Sequence, residues 1–211
     1  MKKHTIITIG RQFGSGGHEV GRGLASQLEI PCYDKELIVA AAKKSGLNEN
    51  LFKNVDERAT NSILYSLVLG SYAPTNGMTG MPPLSMNETL FQIQSEVIKD
   101  MAEEGSCVIV GRCADYILRD MPNVVNIFIH AGMDYRTAHV RREHLEDKGM
   151  SPEKLEDYIL KTDKKRANFY NYYSGQRWGD AKNYHLSIDS GKLGIEKSIL
   201  VIKQFIELSQ E

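Results

Sequence analysis

The feature that most narrows the fold is a β-branched run, Thr5-Ile-Ile-Thr-Ile9, followed at once by Gly10-Arg-Gln-Phe-Gly14-Ser-Gly16-Gly17. After the glycines, Val20, Leu24, Ala25 and Leu28 recur at helical spacing. A strand without polar alternation is buried on both faces, the pattern of a parallel sheet. Glycines between such a strand and a helix let the backbone turn with positive φ and aim its N–H groups at an anion. The helix N-terminus adds unsatisfied donors and the positive end of its dipole. The loop therefore predicts phosphate binding, at residues Arg11, Gly14, Ser15, Gly16, Gly17, His18 and Glu19. A tight strand-to-helix turn without ligand is the alternative reading.

The remainder of the chain repeats the strand–helix alternation. Apolar runs at Ile30 to Tyr33, Ser106 to Val110, Val124 to Ile129 and Tyr184 to Ile188 read as strands. Helices are predicted over 35–44, 87–104, 134–148, 152–172 and 194–208. Asp34 is the N-cap of the first of these, and Ser151-Pro152 opens the fourth. Between 48 and 85 the pattern reads as broken helices. Pro74, Gly77, Gly80, Pro82 and Pro83 mark Ser71 to Ser85 as a mobile loop or flap. The fold class is α/β, with a mainly parallel sheet flanked by helices. At 211 residues the chain makes one domain.

Charge and cysteine content exclude several classes. A formal net charge of −1 does not suit a binder of nucleic acid polymer or of an acidic membrane. No stretch approaches the roughly 20 apolar residues of a membrane span. Cys32, Cys107 and Cys113 have neither CxxC pairing nor a histidine at metal-ligand spacing. They read as reduced, buried thiols of a cytoplasmic protein, and no metal site is read from the sequence.

The loop departs from the usual phosphate-loop consensus in one respect. That consensus places Lys-[Ser/Thr] after the last glycine, with the lysine reaching the β/γ-phosphates. Here Gly17, His18 and Glu19 occupy those positions. Arg11 and Arg22 are the local cations able to compensate. Further along, Arg136, Arg141 and Arg142 cannot all face one way on a helix. Asp163 and Arg166 are spaced to meet one turn apart. The aromatic run Phe169 to Tyr173, with Trp178 beyond, suits either a core cap or a stacking surface for a base.

With the loop, Cys107-Val-Ile-Val-Gly-Arg112 and Asp163-Lys-Lys-Arg166 together, the chain resembles the cytidylate kinases over nearly its whole length. It is most similar to the cytidylate-kinase-like branch, which carries this loop and a Tyr-Asp-Lys-Glu-Leu stretch such as that at Tyr33. The resemblance implies a P-loop NTPase fold. About 35–105 would form the helical acceptor-binding region and about 134–180 a lid. It implies transfer of the γ-phosphate of ATP, with Mg2+, to CMP or dCMP. Asp34 and Arg112 would hold the acceptor, and Arg112, Arg142, Asp163 and Arg166 would be catalytic. Small nucleotides are then the partners, and the chain a monomer or homodimer. Cys113 stands where the family has an aspartate after the arginine, and Lys35 where it has a serine that helps read cytosine. Three readings stay open: a nucleoside monophosphate kinase, a kinase for another small acceptor, and a nucleotide-binding sensor with little turnover.

Overall fold

The opening β-branched run becomes the central strand of a parallel sheet. The computed structural model describes residues 4–34, 86–143 and 149–209. Strands β1 (Ile6–Arg11), β2 (Cys32–Tyr33), β3 (Cys107–Val110), β4 (Val124–His130) and β5 (Leu186–Asp189) form one sheet in the order β2-β3-β1-β4-β5. Every described pairing is parallel. Side chains alternate across β1, so Ile7 and Ile9 enter one core and Ile6 the other.

Helices cover both faces. Helix α1 (Gly17–Leu28) and the C-terminal helix α6 (Ser190–Ser209) pack on the side of Ile7 and Ile9. Helices α2 (Met86–Glu104) and α3 (Ala114–Ile117) pack on the side of Ile6. Helices α4 (Met133–Glu143) and α5 (Pro152–Ser174) meet around Val140, Leu155 and Ile159, where Phe13 joins them. The Ser151 hydroxyl accepts from the Lys154 N–H and Pro152 occupies the first turn, as the sequence predicts.

Element ends account for most differences from expectation. Strand β1 runs on to Arg11 because Gly10 and Arg11 keep pairing with Phe128 and Ile129 after β3 has ended at Val110. The last helix begins at Ser190, directly after β5, and Gly194 is a non-helical kink inside it (φ 75°, ψ 171°) rather than its start. Helix α3 has only four residues and leaves no periodic signal in the sequence. The expected helix over 35–44 and the flap at Ser71 to Ser85 lie outside the described residues. No helix among the described residues is long and apolar enough to cross a membrane.

Candidate functional site

The glycine-rich loop leaves the carboxyl end of β1, where α/β proteins bind ligands. Its path is fixed from several directions. Gln12 N–H donates to the Ile129 carbonyl (3.0 Å), and Gln12 Oε1 accepts from Ala131 N–H (3.2 Å). The fully buried Ser15 hydroxyl donates to the Gln12 carbonyl (2.8 Å), while the Ser190 hydroxyl reaches the Ser15 carbonyl at 2.6 Å. Gly16 is the N-cap of α1 in the left-handed region (φ 73°) and supplies no side-chain cap. The first N–H groups of α1 have no carbonyl one turn earlier to bond, and Gly17, His18 and Glu19 line an open cavity. An anion there meets both these donors and the helix dipole.

A buried ion pair grips the loop from behind. Asp163 on α5 and Arg136 on α4 bond to each other with side chains 12% and 5% exposed. The same two residues take both polar groups of one loop residue: Phe13 N–H donates to Asp163 Oδ1 and Arg136 Nε donates to the Phe13 carbonyl, each at 2.7 Å. Burial pushes the Asp163 carboxyl up, against the Phe13 N–H and the Arg136 and Arg166 guanidiniums that pull it down. Arg166 adds a hydrogen bond from Nη1 to the Arg11 carbonyl (3.1 Å) and stands over the Phe13 ring, 5.4 Å from its centroid.

The cavity in front of the loop measures about 800 Å³, and Arg11, Arg112, Lys165 and Arg166 line it. Arg11 runs across two glycines. A Cβ at Gly17 would lie 2.5 Å from the Arg11 Cβ, and one at Gly111 would lie 1.8 Å from its Nη1. Its guanidinium ends 3.7 Å from Asp34 Oδ1, while His18 Nε2 lies 3.4 Å from Asp34 Oδ2. After β3 the backbone makes a strained turn: Gly111, Arg112 and Cys113 have φ of 78°, 60° and 58°. Two consecutive non-glycine residues in the left-handed region cost about 1–2 kcal/mol each, and such strain collects at ligand sites. Beyond the turn, Asp115 faces the cavity and accepts a hydrogen bond from the Tyr170 hydroxyl (2.8 Å).

A family model described as the cytidylate kinase-like family matches residues 6–192. The chain belongs to that family. Among solved structures it is similar to an uncharacterized protein from Eubacterium ventriosum ATCC 27560, at 29% identity and a TM-score of 0.69, covering 96% of this chain and 98% of that one. It also superposes on shikimate kinase from Bacteroides thetaiotaomicron, at 16% identity and a TM-score of 0.57, covering 97% and 99% of the two chains. No functionally curated protein matches the chain. The fold is that of the P-loop kinases, as the resemblance in the sequence implies.

The residues singled out from the sequence divide into two groups. Arg11, Gly14, Gly16, Gly17, His18, Glu19, Asp34, Arg112 and Arg166 come together around the cavity. Ser15, Arg142 and Asp163 do not line it. Ser15 is buried under the loop, and Arg142 is exposed on α4 with its Nε bonded to Glu143 (2.8 Å). Asp163 pairs with Arg136 rather than with Arg166, its neighbour one turn along. Of the two arginines able to compensate for the missing lysine, Arg11 lines the cavity and Arg22 lies exposed outside it.

Sequence reasoning missed Lys165, Tyr158 and Thr162, which line the cavity from α5 beside Phe169. Their spacing of four, three and four residues marks one helix face, a signal that was available. The aromatic run itself mostly caps a core: Phe91 of α2 stacks on Tyr173 (centroids 3.8 Å apart), and Tyr170 is buried in the same cluster.

Proposed function

We propose that the chain is a phosphotransferase moving the γ-phosphate of ATP to CMP, dCMP or a closely related small acceptor. The observation that carries this reading is Arg11 lying over Gly17 and Gly111 into the cavity below the α1 N-terminus. A loop without its lysine thereby keeps a cation in the same cavity as its anion-facing amides, with the stem at Gly17 and the guanidinium at Gly111. Phosphoryl transfer asks the protein mainly for positioning and for stabilisation of spreading negative charge.

In this reading the amides of Gly16 to Glu19 hold the donor phosphates, Arg11 and Arg166 meet the transferring group, and Arg112 and Asp34 hold the acceptor. Asp163 acts through the loop backbone, which it fixes at Phe13. Arg142 takes part only if α4 swings toward the cavity. About 35–105 serves the acceptor and about 134–180 forms the lid. Among the described residues no cluster of three or more His, Cys, Asp or Glu side chains could hold a metal. Magnesium arriving with ATP needs only one or two carboxylates beside phosphate and water, and Glu19 and Asp34 line the cavity. When bound, it neutralises phosphate charge.

The test is ADP formation with ATP, magnesium and a panel of nucleoside monophosphates. Turnover with at least one acceptor is expected; measurable ATP binding with no turnover on any would sink the kinase reading. That outcome belongs to the second reading, a nucleotide-binding sensor, which the 3.7 Å approach of Arg11 to Asp34 favours because it spends the cation on a carboxylate. Arg112→Ala separates the two ends of the cavity. Loss of a charge-assisted contact to the acceptor is expected to raise acceptor KM roughly 10–100-fold. KM for ATP should stay near its original value, and equal losses in both would contradict the assignment.

A further inference from the structure

Asp115 is the cavity-lining acid for which the phosphate chemistry has no use. It sits two residues past the strained Cys113 on the segment that follows β3, whereas a donor phosphate held at α1 follows β1. Among the described residues no Lys or Arg pairs with it. Its named partners are the Tyr170 hydroxyl and the backbone N–H groups of Asp115 and Tyr116. Around it the walls are aromatic. Tyr170, Trp178 and Tyr184 line the same cavity, and Phe128 packs against Trp178 (5.3 Å between centroids) and Tyr184 (4.9 Å).

Such a carboxylate works against the fold. Burial pushes its pKa up, and the Tyr170, Tyr116 and Asp115 donors only partly oppose this. A carboxyl raised in the folded state lends most stability at low pH, and that contribution is lost as pH rises through the raised value. The ionised form is thus a burden to the folded chain. A carboxylate has about four acceptor sites, so its named partners leave room for one more donor. An acid kept without a cation, in a cavity of flat apolar walls, is placed to accept an N–H from a ligand.

We propose that Asp115 is the specificity-determining residue for the acceptor. It accepts a hydrogen bond from an amino or ring N–H of a nucleobase seated against Tyr170, Trp178 and Tyr184, while the acceptor phosphate meets Arg112. The inference rests on the kinase reading above for the identity of the second ligand as a nucleoside monophosphate. It differs from that reading in making base selection, rather than phosphate transfer, the task of this end of the cavity. Asp115 brings a carboxylate into the cavity three residues after Arg112, so the phosphate contact and the base contact come from one short segment.

The test is titration calorimetry of wild type and Asp115→Asn with CMP, UMP, AMP, GMP and ATP, with acceptor KM measured wherever turnover occurs. The preferred monophosphate should lose roughly 10–100-fold in affinity, the loss expected for one hydrogen bond to a charged group. ATP affinity should hold, and the melting temperature should stay level or rise. Losses confined to CMP, AMP and GMP would assign the donor as an exocyclic amino group; losses confined to UMP and GMP would assign a ring N–H. Unchanged acceptor affinity overturns the inference, and so does a joint fall in ATP affinity and melting temperature, the signature of a structural role. If wild type binds monophosphates without turnover, the kinase reading fails and the Asp115 comparison still decides this one. If it binds none, this inference fails whatever else the chain phosphorylates. Should Asp115→Asn not fold, Tyr170→Phe removes the hydroxyl that holds the carboxylate and that also reaches Gln176 Oε1 (3.0 Å). A smaller loss in the same direction is then expected, and full affinity overturns the proposal.

Discussion

Replacing Asp163 with alanine is expected to destabilise the fold by about 3–5 kcal/mol, the range for removing one partner of a buried ion pair. The cost arises from what is left behind: the Arg136 guanidinium loses its counter-charge in a site where its side chain is 5% exposed. Phe13 N–H loses its acceptor as well. Urea denaturation measures the change directly. Arg136→Ala should cost a similar amount, and the two losses should not add, because both break one unit. Replacing the pair together by apolar residues of similar volume, Arg136→Met with Asp163→Leu, should restore much of the stability. ATP affinity should not return with it, since Phe13 and the loop would still lack their clamp. A loss below about 1 kcal/mol for Asp163→Ala, the scale of an ordinary surface substitution, would show that the pair is not buried as described.

The second large effect is on turnover. Arg11→Ala is expected to lower kcat by roughly 10²–10³-fold, the usual loss for one preorganised donor to transition-state charge. Gly17→Lys alone should not improve the enzyme, because its Cβ would lie 2.5 Å from the Arg11 Cβ. The informative variant combines Gly17→Lys with Arg11→Gly, which removes the Cβ that a side chain at position 17 would strike. A lysine there then has room, and part of the lost rate should return. Full kcat in Arg11→Ala would remove Arg11 from the chemistry and return the question of the cation to Arg166 or Lys165, which line the same cavity.

What the sequence revealed, and what it concealed, follows from the range of each interaction. The β-branched runs, the loop and the Ser151-Pro152 helix start are local patterns, and the structure places them within a few residues of expectation. The Arg136–Asp163 pair joins residues 27 apart on different helices, so the sequence showed only Asp163 and its one-turn neighbour Arg166. That spacing permits a pair, but burial beneath the loop decides the partner. Arg11 and Arg22 were equivalent candidates as letters; strand β1 extending to residue 11 carries one into the cavity, and the helix turns the other outward. Asp115 was silent, a single acid on a four-residue helix whose meaning depends on Tyr170, 55 residues away.

The course of Arg11 over Gly17 and Gly111 also orders the mutational steps that could connect this loop to one with a lysine. A side chain added first at either glycine would overlap an arginine already in place. A chain with a lysine already in place of Gly17 could not accept a Cβ at position 11 on this backbone, for the same reason. The two arrangements are therefore separated by an intermediate in which neither cation is present or both are displaced, and passage between them needs a glycine at position 11, or a shift of its backbone, before anything grows at position 17. A consensus search keyed to the lysine alone would overlook such a loop, while a search for a long basic residue at the strand end, paired with glycine at both crossing points, would find it.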